Sequence, residues 1–164
     1  MGFEVVSALL VALASSAPAS AGHTWRTYDN VRYAYQICYP SDLLKPQPES
    51  ANGDGRRFTG ASAAVLSVYA SYPGDTLAND EAQMVKFLSE DGGTIAYKTQ
   101  RPTWYVVSAQ QGNRITYHRA AKAGDLVASF DLHYPATQKR LWDPIAGKIG
   151  TCLRMLDAPH SAKR

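Results

Sequence analysis

The sequence lacks any apolar run long enough to cross a membrane as a helix. Its most apolar stretch, Val5–Ala14, has ten residues, whereas a membrane-spanning helix needs about 20. Basic residues are dispersed: Arg56-Arg57 and Lys139-Arg140 are the adjacent pairs before the terminus, and the formal net charge of the 164 residues is +3. These absences argue against a transmembrane anchor and against the basic stripe of a nucleic-acid-binding protein.

Patterns for catalysis are also missing. The sequence has no phosphate-binding loop, no nucleophile elbow and no zinc-binding triad. Ser129, Asp131 and His133 alternate along one predicted strand and share a face, but polar residues are the ordinary expectation on a half-solvated strand. We therefore predict no catalytic residue and no cofactor.

The first 21 residues have the pattern of an export signal. The apolar stretch Val5–Ala14 precedes Ala19-Ser20-Ala21, which matches the small-x-small cleavage pattern. Residues 2–4 contain Glu4 and no basic residue. Either the amino terminus alone serves as the basic region, or the true start lies upstream, and we favour the second. A buried N-terminal helix is the less favoured alternative.

Cysteine is scarce, since Cys38 and Cys152 are the only two. An exported chain meets an oxidising compartment, where a lone pair of cysteines is expected to form a disulfide. Cys38 lies on the second face of the first predicted strand, and Cys152 on the buried stripe of the last predicted helix. The bond therefore requires that helix to cover that face. Two separate buried thiols are the alternative.

The clearest local pattern lies between Tyr28 and Phe58. In Val31–Tyr39, apolar and polar residues alternate, which predicts one strand that ends before Pro40. Ser41–Lys45 is predicted as a single helical turn. Asn52 to Gly55 supply a tight turn, after which Arg56–Thr59 restarts as a strand.

This stretch resembles a group of uncharacterised exported bacterial proteins that are similar to the PsbP-like fold, named for an extrinsic photosystem II protein. The residues that carry the resemblance are Arg32, Tyr33, Ala34, Tyr35, Ile37, Tyr39, Pro40 and Asn52 to Arg56, with a weaker match at Trp142 to Ile145. The resemblance covers residues 25 to 156 and implies an α/β/α sandwich. It implies no catalytic residue, because that fold supports unrelated functions.

The rest of the chain alternates strands with two helices. A helix begins at Leu77, capped by Asp75 or Thr76, and ends at Gly92-Gly93. It is predicted to pack on the sheet through Leu77, Met84 and Leu88. Predicted strands are Ala63–Ser71, central in the sheet, then Thr94–Gln100, Thr103–Ala109, Arg114–Arg119 and Leu126–Tyr134. The last helix runs from about Gln138 to Leu156 and buries Leu141, Ile145, Ile149, Cys152 and Leu153, with Pro144 in its first turn or at a kink.

The pattern of apolar residues predicts a specific pairing register for the two strands of the last hairpin. Pairing Ile115 with Phe130 and Tyr117 with Ala128 keeps apolar residues on one face and sets Arg114 opposite Asp131. This register also places Val127 opposite His118, so His118 and His133 lie too far apart to share a metal. We predict no metal site.

Two places are candidate binding surfaces. The loop around Asn52 and Asp54 has the oxygen spacing of a calcium loop, but Ala61 stands where the bidentate glutamate belongs, so an EF-hand is rejected. Its exposed glycine-rich backbone adjoins Arg56 and Arg57, which are suited to an anionic group. The second surface consists of Arg114, Asp131 and His133.

The sequence therefore predicts an α+β protein with an antiparallel sheet of about six or seven strands and helices packed on it. Residues 1–21 are expected to be a signal peptide, 22–156 one domain and 157–164 a flexible tail. The expected function is that of a periplasmic or secreted, non-enzymatic binding or accessory protein of the cell envelope. Its partner is a protein or a small anionic ligand. An immunity-type inhibitor of a toxin is the alternative, and a hydrolase is the least favoured one.

Overall fold

Strands dominate the part of the chain that the structure describes. The structure, a computed structural model, describes residues 22–61 and 63–156. The predicted signal peptide and the predicted C-terminal tail lie outside the described residues. The strands are β1 (Trp25–Asn30), β2 (Tyr35–Pro40), β3 (Leu44–Glu49), β4 (Gly55–Gly60), β5 (Val65–Ser71), β6 (Thr94–Arg101), β7 (Trp104–Gln111), β8 (Arg114–Ala123), β9 (Leu126–Pro135) and β10 (Arg154–Met155), and the α-helices are α1 (Leu77–Ser89) and α2 (Lys139–Cys152).

These strands form two antiparallel sheets. The larger sheet has seven strands in the order β3-β4-β5-β9-β8-β7-β6, and the smaller has three in the order β1-β2-β10. The predicted fold class, an α+β protein built on an antiparallel sheet of six or seven strands, is confirmed. The prediction that β5 is central is confirmed as well, since it pairs with β4 and β9. The three-stranded sheet is an addition to the predicted architecture.

Side chains alternate between the two faces of the seven-stranded sheet. On one face, which we call the α1 side, Leu77, Met84 and Leu88 of the first helix pack against Tyr105 and Val107, as predicted. The other face, the α2 side, carries the larger core together with α2 and the three-stranded sheet. That core includes Tyr35, Ile37, Phe58, Leu66, Phe130, Leu132, Trp142, Ile145 and Ile149.

A disulfide joins the small sheet to α2. Cys38 of β2 and Cys152 at the end of α2 are bonded, with their Cα atoms 5.5 Å apart and a sequence separation of 114. The predicted pairing is confirmed, and so is its requirement that the last helix cover that face of the first predicted strand.

The predicted strand Val31–Tyr39 is wrong in its first half. Residues 31–34 form a turn between β1 and β2, Ala34 adopts a φ of 47°, and Val31 is 82% exposed. The Asn30 side chain explains the turn, because its Oδ1 accepts from the backbone N–H of Tyr33 at 2.9 Å. An asparagine that bonds the backbone just after it favours a turn over a strand.

The predicted helical turn at Ser41–Lys45 is also wrong. A turn at residues 41–43 leads directly into β3, which contains both Pro46 and Pro48. Prolines are tolerated in this strand because β3 is at the edge of its sheet, where one side needs no N–H donor.

The buried face of α2 differs from the predicted one at one position. Leu141, predicted to be buried, is 40% exposed, whereas Trp142 is only 2% exposed and packs with Ile145 and Ile149. Pro144 lies inside the helix, five residues after its first residue Lys139, so it is not a first-turn proline.

Candidate functional site

The site depends on the register between β8 and β9, which differs from the predicted one by four residues. Ile115 pairs with Tyr134 rather than Phe130, and His118 pairs with Asp131 rather than Val127. The cause is the turn. Strand β8 continues to Ala123, which pairs with Leu126, so the connection has two residues and Gly124 adopts a φ of 60°. A shift of four residues is even, so each side chain keeps its predicted face.

The corrected register aligns polar residues across the α1 side. Arg57 of β4 pairs with Ser67 of β5, Ser67 with Asp131 of β9, and Asp131 with His118 of β8. In the adjacent row His133 pairs with Thr116. We call this surface the polar face, and define it by Arg57, Ser67, Tyr69, Arg114, Thr116, His118, Asp131 and His133.

His118, a buried member of the polar face, is at the centre of a hydrogen-bond network. Its side chain is 2% exposed, and its Nδ1 lies 2.8 Å from Asp131 Oδ1. The Tyr69 hydroxyl donates to Asp131 Oδ2 at 3.1 Å. On the other side of the ring, Nε2 lies 3.1 Å from the Tyr105 hydroxyl, which donates to Asp80 Oδ2 of α1 at 2.8 Å. The network therefore connects four strands and one helix.

Two carboxylates flank the His118 ring: Asp131 lies at Nδ1, and Asp80 lies beyond the Tyr105 hydroxyl that neighbours Nε2. Burial by itself would raise the pKa of Asp131, but the hydrogen bond and charge of His118 and the Tyr69 hydroxyl hold that pKa below its usual value.

His133 has a different environment. Its Nδ1 lies 2.9 Å from Thr116 Oγ1. Burial lowers the pKa of His133, the charge of Asp131 opposes that shift, and the charges of Arg114 and Arg57 add to it. The cations Arg57 and Arg114 thus act on one point of the polar face. Because Asp131 bonds His118 instead of His133, the described residues contain no Ser/Thr–His–Asp relay here.

The 50–55 loop is anchored by the segment that precedes it. Asn30 Nδ2 donates to the Gly53 carbonyl at 3.0 Å, and the Tyr35 hydroxyl donates to the Asp54 carbonyl at 2.9 Å. The Asn52 carbonyl accepts from Arg32. A hydrogen bond from Ser50 lowers the pKa of the Asp54 carboxyl, against the effect of burial. These polar groups of the loop already have partners within the protein.

Arg56 and Arg57 point to opposite sides of β4, because neighbouring strand residues alternate. The Arg56 guanidinium lies 5.1 Å from the centroid of the Tyr28 ring, and its Nη2 is 3.6 Å from Glu49 Oε1. Arg57 is exposed on the α1 side. Of the predicted binding residues, the structure therefore brings together Arg57, Arg114, Asp131 and His133, and separates them from Asn52, Asp54 and Arg56.

Among residues 22–61 and 63–156, no group of three or more His, Cys, Asp or Glu side chains is arranged to hold a metal ion. No helix in the same residues has the length and apolar character needed to cross a bilayer.

Comparison with known proteins identifies the fold. No protein-family model matches the sequence, and no curated protein matches it. The solution structure of cyanobacterial PsbP (CyanoP) from Synechocystis sp. PCC 6803 is similar with a TM-score of 0.60, covering 86% of this chain and 98% of that one at 12% sequence identity. The fold is PsbP-like. At this identity the likeness extends to the fold and carries no functional residue.

The sequence analysis did not identify Tyr69, Tyr105, Thr116, His118 and Asp80 as members of one site. The turn sequence would have identified most of them. If Gly124-Asp125 is taken as a two-residue hairpin connection, His118 lies opposite Asp131. No sequence signal connects Asp80 with Tyr105, since that contact depends on where α1 lies on the sheet.

Proposed function

We propose that the protein is an exported, non-enzymatic binding or accessory protein of the cell envelope that recognises an anionic group with its polar face. The observation that carries the proposal is the convergence of Arg57, Arg114 and His133 on one side of the sheet. Two exposed guanidinium groups beside a half-buried histidine suit a carboxylate or phosphate on a partner protein or small ligand. A rigid sheet holds them in place.

Export is part of this proposal. The apolar run and the Ala19-Ser20-Ala21 pattern support removal of residues 1–21, and the disulfide fits an oxidising compartment. Mass spectrometry of the protein isolated from its source is expected to find a mature chain that begins at Gly22. A chain that retains Val5 would contradict this part.

The test of binding uses two neighbouring arginines as a matched pair. Affinity purification from periplasmic extract identifies the partner, and its affinity is then measured for Arg57→Ala and for Arg56→Ala. Arg57→Ala is expected to weaken binding by roughly tenfold, since a charge-assisted hydrogen bond contributes about 1.5–3 kcal/mol. Arg56→Ala removes the same charge from the opposite face and is expected to leave affinity unchanged.

The Arg114→Ala variant serves as a second measurement on the polar face. An affinity that falls for Arg56→Ala but is unchanged for both Arg57→Ala and Arg114→Ala would move the recognition surface to the 50–55 loop. Thermal unfolding of each variant controls for loss of the fold.

A further inference from the structure

A hollow lies on the α1 side of the seven-stranded sheet, between the end of α1 and the strands β7 and β8. It has a volume of ≈ 140 Å³. Arg114 and Thr116 of the polar face line it, so the hollow adjoins the surface for which anion recognition is proposed. The lining also includes Phe87, Leu88, Glu90 and Ala109.

The apolar part of the hollow comes from β7 and α1. Ala109 of β7 pairs with Thr116 of β8, and both residues are buried at the base of the hollow. The short side chain of Ala109 leaves room next to Leu88, which packs on the sheet from α1. Phe87 precedes Leu88 in the helix and is 68% exposed at the rim. Its ring therefore offers apolar surface to a ligand in the hollow.

Two opposite charges line the same hollow without pairing with each other. The ion pairs among the described residues include neither the Glu90 carboxylate nor the Arg114 guanidinium. Both residues are exposed. A ligand that enters the hollow therefore meets one anionic and one cationic side chain.

The two charges lie on different sides of the hollow because they come from different elements. Glu90 follows Ser89, the last residue of α1, and the C-terminal end of a helix carries a partial negative charge. This side favours a cation. Arg114 begins β8, two residues before Thr116 and about 6.6 Å from it along the strand. That side favours an anion, and the planar pair of arginine donors fits a carboxylate.

We propose that this hollow binds a free α-amino acid with a branched aliphatic side chain. The carboxylate of the ligand accepts hydrogen bonds from Arg114, and its ammonium group faces Glu90. The aliphatic side chain contacts Leu88, Ala109 and Phe87. Since a water molecule occupies about 30 Å³ of liquid, the hollow has room for roughly five water-sized groups, which suits such a side chain. The inference rests on the proposed function, because it names a small ligand for one part of the polar face.

The test compares leucine with analogues that each lack one of the recognised groups. 4-Methylpentanoate lacks the ammonium group, isoamylamine lacks the carboxylate and glycine lacks the side chain. NMR titration of the disulfide-bonded protein near neutral pH is expected to give a dissociation constant below about 1 mM for leucine. Each analogue is expected to bind at least about tenfold more weakly. Leucine is expected to shift the signals of Ala109 and Thr116.

Two variants connect each charge with its own analogue. Arg114→Gln is expected to abolish the preference for leucine over isoamylamine, and Glu90→Gln the preference for leucine over 4-methylpentanoate. A purely structural role would not change these preferences selectively. Arg140→Gln is the matched control, because it removes an exposed charge from α2, on the other side of the sheet, and is expected to leave every affinity unchanged.

Several results would overturn the proposal. They are no binding of leucine at about 1 mM, equal affinity for leucine and its analogues, shifts remote from the hollow, or preferences that are unchanged in both Arg114→Gln and Glu90→Gln. Partner binding that depends on Arg57, together with no binding of leucine, would refute the amino-acid site alone. Leucine binding, together with partner binding that depends on neither Arg57 nor Arg114, would refute the proposed partner surface alone.

Discussion

The two helices are attached to opposite sides of the seven-stranded sheet by different means. α2 is held by a large apolar core and by the Cys38–Cys152 disulfide. α1 packs on a smaller apolar cluster and is connected to the sheet by the hydrogen bond from Tyr105 to Asp80, which continues to His118 and Asp131. Each helix accepts a hydrogen bond from a tyrosine of the sheet, Asp143 of α2 from Tyr134 and Asp80 of α1 from Tyr105. The difference is that α2 has a covalent bond and a larger core in addition, whereas the bond to α1 continues into a network of titratable groups.

Breaking the disulfide tests the α2 side and has the largest expected effect. The bond closes a loop of 114 residues in sequence, for which the chain-entropy model gives about 4–5 kcal/mol. The double variant Cys38→Ser and Cys152→Ser is expected to lose roughly that much free energy of unfolding. Urea unfolding of the oxidised protein, the reduced protein and the variant measures it. An oxidised protein no more stable than the reduced one would contradict the prediction.

Removing Asp131 tests the α1 side. Asp131→Ala removes the carboxylate that lies at His118 Nδ1 and accepts from the Tyr69 hydroxyl, and leaving buried polar groups without their partner costs about 1–3 kcal/mol. The matched control is Asp29→Ala, which removes an exposed carboxylate from β1. Hydrogen exchange is expected to show that α1 loses protection before α2 does. Equal loss in the two helices would show that the network does not hold α1.

Acidification is the mildest perturbation of the same side. The pKa of His133 is lowered from 6.5 in the folded protein. As the pH falls below 6.5, the unfolded chain binds a proton at this position before the folded protein does, so stability is lost. His133→Gln is expected to lose less stability than the unsubstituted protein between about pH 7 and pH 5, as followed by urea midpoints. Parallel profiles would remove His133 from this role.

Asp131 causes a second loss of stability at lower pH, because its charged form is the one that stabilises the fold. Its pKa is held below the usual 3.8, so its stabilising contribution is present above that value and disappears as the pH falls through the folded-state pKa. The His133→Gln protein is therefore expected to keep this second, more acidic loss.

Local chemistry made much of the fold predictable. Thr76 caps α1, accepting from the backbone N–H of Asn79 at 3.2 Å, and Gly93 ends the turn that follows the helix. The register of β8 and β9 was not determined by the face pattern, because any even shift preserves it. Leu141 and Trp142 are both apolar and are adjacent in sequence. Only the position of α2 on the core decides which of the two is buried.

The candidate site was less predictable than the fold. Asp131 and His133 were noticed from their spacing in β9, but their hydrogen-bond partners, His118 and Thr116, depend on the turn length.

The prolines of β3 have a consequence for assembly. An edge strand with free N–H groups can recruit a strand from another molecule, which is one origin of polymerisation and of strand-addition complexes. Pro46 and Pro48 remove two of those donors from one border of the seven-stranded sheet. This border is thereby protected against self-association. A partner that adds a strand to this sheet is thereby directed away from β3.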